Sequence, residues 1–313
     1  MSTSKADTAV LLMALGGPTS LDEVEPYLRE VRGGRPTSPE LVREFQERYR
    51  AIGGRSPLRE ISEAQARGLE QALSRSGPSV RVFVGMRHWR PTLREALERV
   101  SSEGTGNLVG VCLTPYRSRM TVGAYFEALE RANATLASPL AIERVESWNT
   151  SPALSEAFAA RVREGLERMR REGTTDPYVL FTAHSLPARV RSEGDPYETQ
   201  LRETMELVKA RLAPLRSSLA FQSAGRTPDP WLGPSVEESI SALAAQKEKG
   251  VLVVPFGFIS DNLEILYDVD REFTELAQSE GVHLARTTSL NDDPLLVRAL
   301  SEAVRPHLAS RGG

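Results

Sequence analysis

Val251-Leu252-Val253-Val254-Pro255-Phe256-Gly257-Phe258, followed at once by Ser260-Asp261-Asn262-Leu263-Glu264-Ile265-Leu266-Tyr267-Asp268-Val269-Asp270-Arg271-Glu272, decides the fold. The first run is short, apolar and β-branched, as a parallel strand buried on both faces must be. Ser260 or Asp261 can cap the helix that follows it. On that helix Glu264, Asp268 and Glu272 recur every four residues. With Glu275 they fall within an arc of about 80°, while Leu263, Leu266, Tyr267 and Phe273 lie opposite. Like charges at this spacing cost a helix roughly 0.2–0.5 kcal/mol per pair. Two readings fit: a solvated face, or a ladder of carboxylates about 6 Å apart that hands a cation from step to step.

The same alternation of strand and helix runs through the chain. Further strands are expected at Ala9–Leu15, Val80–Gly85, Leu108–Thr114, Leu140–Val145, Tyr178–Ala183, Ser218–Phe221 and Val282–Ala285. Helices are expected at Pro39–Ala51, Glu60–Ser76, Pro91–Val100, about Thr121–Leu136, Ser151–Arg171, Pro196–Leu212, Ser235–Lys247 and Pro294–Leu308, and Thr19 or Ser20 can cap one more after Gly16-Gly17-Pro18. Such alternation builds βαβ units, so the fold class is α/β, with two four-stranded parallel sheets flanked by helices. The expected division is 1–114 for the first half and 115–287 for the second, the C-terminal helix at about 288–313 packing back on the first.

The 313 residues carry 39 basic and 42 acidic side chains, a net charge of −3. No basic excess points to nucleic acid. The single cysteine, Cys112, excludes an internal disulfide and a cluster held by four cysteines of one chain. The start, Met1-Ser2-Thr3-Ser4-Lys5-Ala6-Asp7, lacks the apolar region of a signal peptide, and Ala9–Leu15 is too short to span a bilayer. The expectation is a cytoplasmic protein with peripheral membrane contact open.

His184 is one of four histidines, with His88, His283 and His307. It stands directly after a strand, at the carboxyl end of a parallel sheet, where ligands bind. Taken alone it is a satisfied structural histidine or a ligand in equal measure. Glu264 follows a second such strand. If those strands are neighbours, the imidazole and the carboxylate share one crevice, where they can hold a passing cation or take protons. The Gly16-Gly17-Pro18 junction is a tight turn or a phosphate cradle, and Ile52-Gly53-Gly54-Arg55-Ser56-Pro57-Leu58 a linker or a turn beside a site. Neither has a GxGxxG or P-loop pattern, and no HExxH, CxxC or GxSxG accompanies His184.

Ala183-His184-Ser185-Leu186-Pro187, Gln222-Ser223-Ala224-Gly225 with Pro230-Trp231-Leu232-Gly233-Pro234, and Ser260–Asp268 together resemble the ferrochelatases, as do Gly16-Gly17-Pro18 and Tyr49–Leu58. The resemblance takes in nearly the whole chain in order. It implies two Rossmann-like chelatase domains with a porphyrin in the cleft between them, and insertion of ferrous iron with release of two protons in haem biosynthesis. His184 and Glu264 match the family's pair that binds iron and takes the pyrrole protons. Asp268 and Glu272 match the carboxylates behind it, on a helix with a π-bulge. A wider turn would bring residues four apart back into line. Arg32, Arg48, Tyr49, Ser56 and Tyr125 match positions that contact the macrocycle or its propionates. Iron is then a substrate, no tightly bound cofactor or iron–sulfur cluster is implied, and a monomer is expected. Alternatives are a cobalt chelatase or a non-catalytic carrier of haem or metal on the same fold.

Two positions separate branches of the family. Leu15 stands where coproporphyrin-type members carry an iron-ligating tyrosine, and so is similar to the protoporphyrin type. Gln222–Trp231 is similar to the coproporphyrin type. Asn262 replaces a histidine common in the family.

Overall fold

The computed structural model describes residues 8–75, 80–225 and 227–309. Ser76, expected to end a helix, Arg226 of the quoted motif, Met1–Asp7 and residues 310–313 lie outside the described residues. The chain forms two compact units, 1–151 with 291–313 and 152–290.

In the first unit the strands are β1 (Thr8–Ala14), β2 (Arg81–Met86), β3 (Asn107–Cys112) and β4 (Ala141–Val145), all parallel, in the order β2-β1-β3-β4. The helices are α1 (Val24–Val31), α2 (Pro39–Ala51), α3 (Leu58–Ser74), α4 (Leu93–Ser102) and α5 (Ala124–Asn133). α2 starts where its sequence says: Ser38 accepts from Leu41 N–H and Pro39 occupies the first turn. Leu11, Met13 and Phe83 of the sheet pack against Leu93, Leu97 and Val100 of α4 and Phe126 and Leu129 of α5. Each such side chain contributes about 1.5–3 kcal/mol by leaving water.

The expected division after Thr114 falls too early. β4 pairs in register with β3 from Asn107↔Ala141 to Val111↔Val145, so the first sheet continues past α5. The C-terminal helix Pro294–Ala309 belongs to this unit, where Arg305 donates to the Ala72 carbonyl of α3 at 2.9 Å.

The second unit repeats the plan with β5 (Tyr178–His184), β6 (Ser217–Gln222), β7 (Gly250–Val254) and β8 (His283–Arg286), in the order β6-β5-β7-β8. Its helices are α6 (Pro152–Arg171), α7 (Arg189–Ser192), α8 (Tyr197–Lys209), α9 (Val236–Ala245), a π-helix at Glu264–Phe273, and α10 (Thr274–Ser279). Leu180, Val251 and Val253 pack on Ile240 of α9 and on Ile265, Val269 and Phe273 of the π-helix. β7 stops at Val254 and does not run on to Phe258. Pro255 has no N–H for the ladder, and Phe256 N–H turns back to the Val254 carbonyl at 2.8 Å.

In each sheet the chain leaves the first strand to one side and returns to pair on its other side. The switch points are therefore between β1 and β3 and between β5 and β7, and the crevice outside the carboxyl ends there is where such sheets bind ligands. Leu15 follows β1, and His184 ends β5. Among the described residues no helix is long and apolar enough to cross a membrane.

Candidate active site

β5 and β7 are neighbours, His184 ends β5, and Glu264 opens the helix ten residues beyond the end of β7. His184 is half-buried, and its Nδ1 lies 2.6 Å from the Ser185 carbonyl. A carbonyl only accepts, so Nδ1 carries the proton and Nε2 of the neutral ring presents its lone pair. The loop after His184 is tied down. Ser185 donates through its N–H to Gln222 and through its hydroxyl to the Leu232 carbonyl, both at 2.8 Å. Pro187 bridges to Trp231. The Tyr197 hydroxyl donates to the His184 carbonyl at 2.9 Å, and the Phe258 ring stands 6.3 Å from the imidazole.

From the other side of β5 comes Ser223, just past the end of β6. Its φ of 58° lies in the left-handed region, unusual outside glycine. That backbone turn lets its hydroxyl donate to the Asp268 carboxylate at 2.9 Å. A helix that starts after β7 and is bonded to the end of β6 must pass over the end of β5, where His184 stands. Gln222 was not singled out from the sequence. It accepts from Thr182 at 2.9 Å, and its amide nitrogen is buried without a partner.

The helix is capped by Asn262, whose carbonyl oxygen accepts from Ile265 N–H at 2.9 Å. Ser260 and Asp261, the expected caps, are not the ones used. Asp261 instead accepts from Ser289 at 2.7 Å. The segment is π-helical over all of Glu264–Phe273. Glu264 is half-buried, Asp268 is 7% exposed, and Glu272 is exposed, so the middle carboxylate is the most buried and the last one meets water. Among the described residues no three His, Cys, Asp or Glu side chains gather as a closed metal site. The donors are spread along the helix.

In the first unit Leu15 is 37% exposed, one of three large apolar side chains so placed among the described residues. Tyr49 and Ser56 are buried beneath the turn that follows it. Ser56 N–H donates to the Pro18 carbonyl at 2.8 Å, and a Cβ on Gly17 would come within 2.5 Å of the Ser56 side chain. Thr19 and Ser20 do not cap: Thr19 donates through its N–H and hydroxyl to Glu23. Tyr125, on α5, lies under the Arg87 guanidinium at 5.4 Å. Arg48 pairs with Glu44 at 3.4 Å, and Arg32 ends α1 with its Nε buried and unpartnered. His88 joins this end of the sheet through its N–H, which donates to the Leu15 carbonyl at 3.0 Å. Burial, then the charge of Arg87, push its pKa down to about 4, so the ring is neutral.

Two four-stranded parallel sheets flanked by helices are a fold shared with a solved chelatase. SirB from Bacillus subtilis with Fe3+ aligns with a TM-score of 0.62 over 97% of this chain and 96% of that one, at 13% identity. A family model described as ferrochelatase matches residues 7–308. The ferrochelatase of Thermus thermophilus is 39% identical over 312 residues, covering 94% of this chain and 98% of that protein. The ferrochelatase of Herpetosiphon aurantiacus is 38% identical, with 96% and 98% covered. The coproporphyrin III ferrochelatase of Geobacillus thermodenitrificans is 33% identical, with 99% and 98% covered. The chain belongs to the ferrochelatase family, and it is an enzyme of that kind, a porphyrin metal chelatase that inserts iron into the ring.

Proposed function

We propose that His184 and Glu264 are the pair through which this enzyme inserts ferrous iron, and that Asp268 and Glu272 supply the metal along the π-helix. What supports this is the adjacency of β5 and β7, with the half-buried His184 ending β5, its Nδ1 held by the Ser185 carbonyl, and the half-buried Glu264 opening the helix that follows β7. One nitrogen and one carboxylate bind a divalent cation without enclosing it, so the ion can leave for the four ring nitrogens. The same two groups take the pyrrole protons, two for each Fe²⁺ inserted. Asp268→Asn and Glu272→Gln should raise the iron concentration needed for half-maximal rate and leave porphyrin affinity alone. An unchanged iron dependence in both would reduce the ladder to a structural and a solvated carboxylate.

The porphyrin proposed is protoporphyrin IX. Leu15 supports it: an exposed apolar side chain at the end of β1 suits vinyl edges and offers iron no ligand. Coproporphyrin III, whose four propionates suit the unpartnered Arg32 Nε, is the second reading. Anaerobic rates with each porphyrin separate the two. Leu15→Tyr supplies a phenol whose pKa falls once it meets a ferric ion. The absorption of bound ferric product should then shift and its release should slow. Identical spectra and off-rates for the two proteins would mean that Leu15 does not face the metal. A cytoplasmic, monomeric enzyme without a tightly bound cofactor completes the proposal.

A further inference from the structure

The π-helix raises a question that the metal pathway leaves open: what holds ten residues in a winding that an ordinary helix would not keep. Arg286 is the last residue of β8, and its side chain is 16% exposed. It donates from Nε and Nη2 to both oxygens of Asp270, at 2.5 and 2.9 Å, a two-pronged pair. Its Nη1 lies 3.5 Å from Asp261 and donates to the Thr287 carbonyl at 3.0 Å. Asp261 also takes the Ser289 hydroxyl. The backbone that carries the guanidinium is itself fixed, because Thr287 N–H bonds to the Val253 carbonyl in β7 at 2.9 Å and Arg168 donates to the Arg286 carbonyl at 2.5 Å. Burial works against its charge, and the hydrogen bonds and charges of Asp270 and Asp261 outweigh it, raising the pKa above that of a free guanidinium.

Asp261 stands just before the Asn262 cap, and Asp270 stands between Asp268 and Glu272. One rigid cation on the sheet thus grips the segment before its first turn and again within it. We infer that Arg286 is a positioning residue for metal delivery, clamping Asp261 and Asp270 so that the helix keeps its wide turn and Glu264, Asp268 and Glu272 keep their places relative to one another. Without the clamp, the segment between the two aspartates is free to rewind toward an ordinary helix. In that winding residues four apart overshoot a full turn by about 40°, whereas the wider turn falls short of one, so rewinding would displace the three carboxylates from one another. The inference rests on the proposed role of that carboxylate ladder.

The test compares Arg286→Met, Asp270→Asn and the double variant by steady-state kinetics with ferrous iron. Amide hydrogen exchange over residues 261–275 and thermal melting accompany the kinetics. The expected result is a KM for iron raised about tenfold, equivalent to about 1.4 kcal/mol, with kcat and the KM for porphyrin little changed. The double variant should be no worse than either single one, and exchange should quicken across the π-helix. Should Arg286→Met fail to fold, Asp270→Asn keeps the shape and carries the comparison. A lower melting temperature with an unchanged iron KM, or additive effects in the double variant, would overturn the inference. If Asp268→Asn and Glu272→Gln raise the iron KM while these variants do not, the clamp alone is wrong. If none of them does, the ladder has failed first.

Discussion

Replacement of His184 by alanine is expected to abolish iron insertion while the fold and porphyrin affinity persist. The ring is half-buried at the tip of β5, so its removal leaves no sealed cavity. Of the anchors of the surrounding backbone only the Nδ1 bond to the Ser185 carbonyl passes through the ring: Tyr197 bonds to the His184 carbonyl, and Ser185 carries the bonds to Gln222 and Leu232. What goes is the nitrogen proposed to hold the ion and accept protons. Anaerobic turnover and porphyrin binding should be measured on the same protein. Turnover above about a tenth of wild type, a barrier change under about 1.4 kcal/mol, would remove the imidazole from the mechanism. Loss of porphyrin binding in parallel would make the residue structural.

The sequence puts His184 and Glu264 just after strands, because runs such as Tyr178–Ala183 and Val251–Phe258 are apolar on both faces, as a buried parallel strand must be. It could join them only conditionally. Strand order is a tertiary fact, and no local pattern reports that β7 pairs with β5 and not with β6. The early division after Thr114 has the same origin. β4 is a half-exposed edge strand, and its residues Ala141–Val145 do not say which sheet they close. At the helix start, Ser260, Asp261 and Asn262 are all capable caps. The choice of Asn262 is made by Ser289 and Arg286, which engage Asp261 from 28 and 25 residues away in sequence. The π winding is likewise invisible to periodicity, since the acidic spacing of four is compatible with either helix. Ser223 was quoted only as part of a motif, and its bond to Asp268 depends on a left-handed backbone that serine rarely adopts.

Gly257→Ala should be the most damaging small change near the site. Gly257 N–H donates to the Thr182 carbonyl at 3.0 Å, so the loop after β7 lies directly against β5. A Cβ there would stand 2.5 Å from both Cα and Cβ of Ala183. Cα is backbone, and β5 is held on that stretch by its pairing of Ala183 with Phe221 in β6, so no flexible side chain can yield. Overpacking of this kind costs about 1–3 kcal/mol and sometimes more, and a clash with backbone belongs at the upper end. For a unit of this size about 3 kcal/mol corresponds to a fall in melting temperature of about 6–12 °C. Activity should suffer well below the melt, because Ala183 precedes His184 and Phe258, next to Gly257, stands against the imidazole. Gly106→Ala is the control: an added Cβ there meets nothing within 4 Å, and its backbone is not left-handed. Melting curves and turnover at a fixed temperature decide the matter. A Gly257→Ala protein as stable and as active as Gly106→Ala would mean that the loop moves aside freely, and that His184 is not held in place by the close approach of these two strand ends.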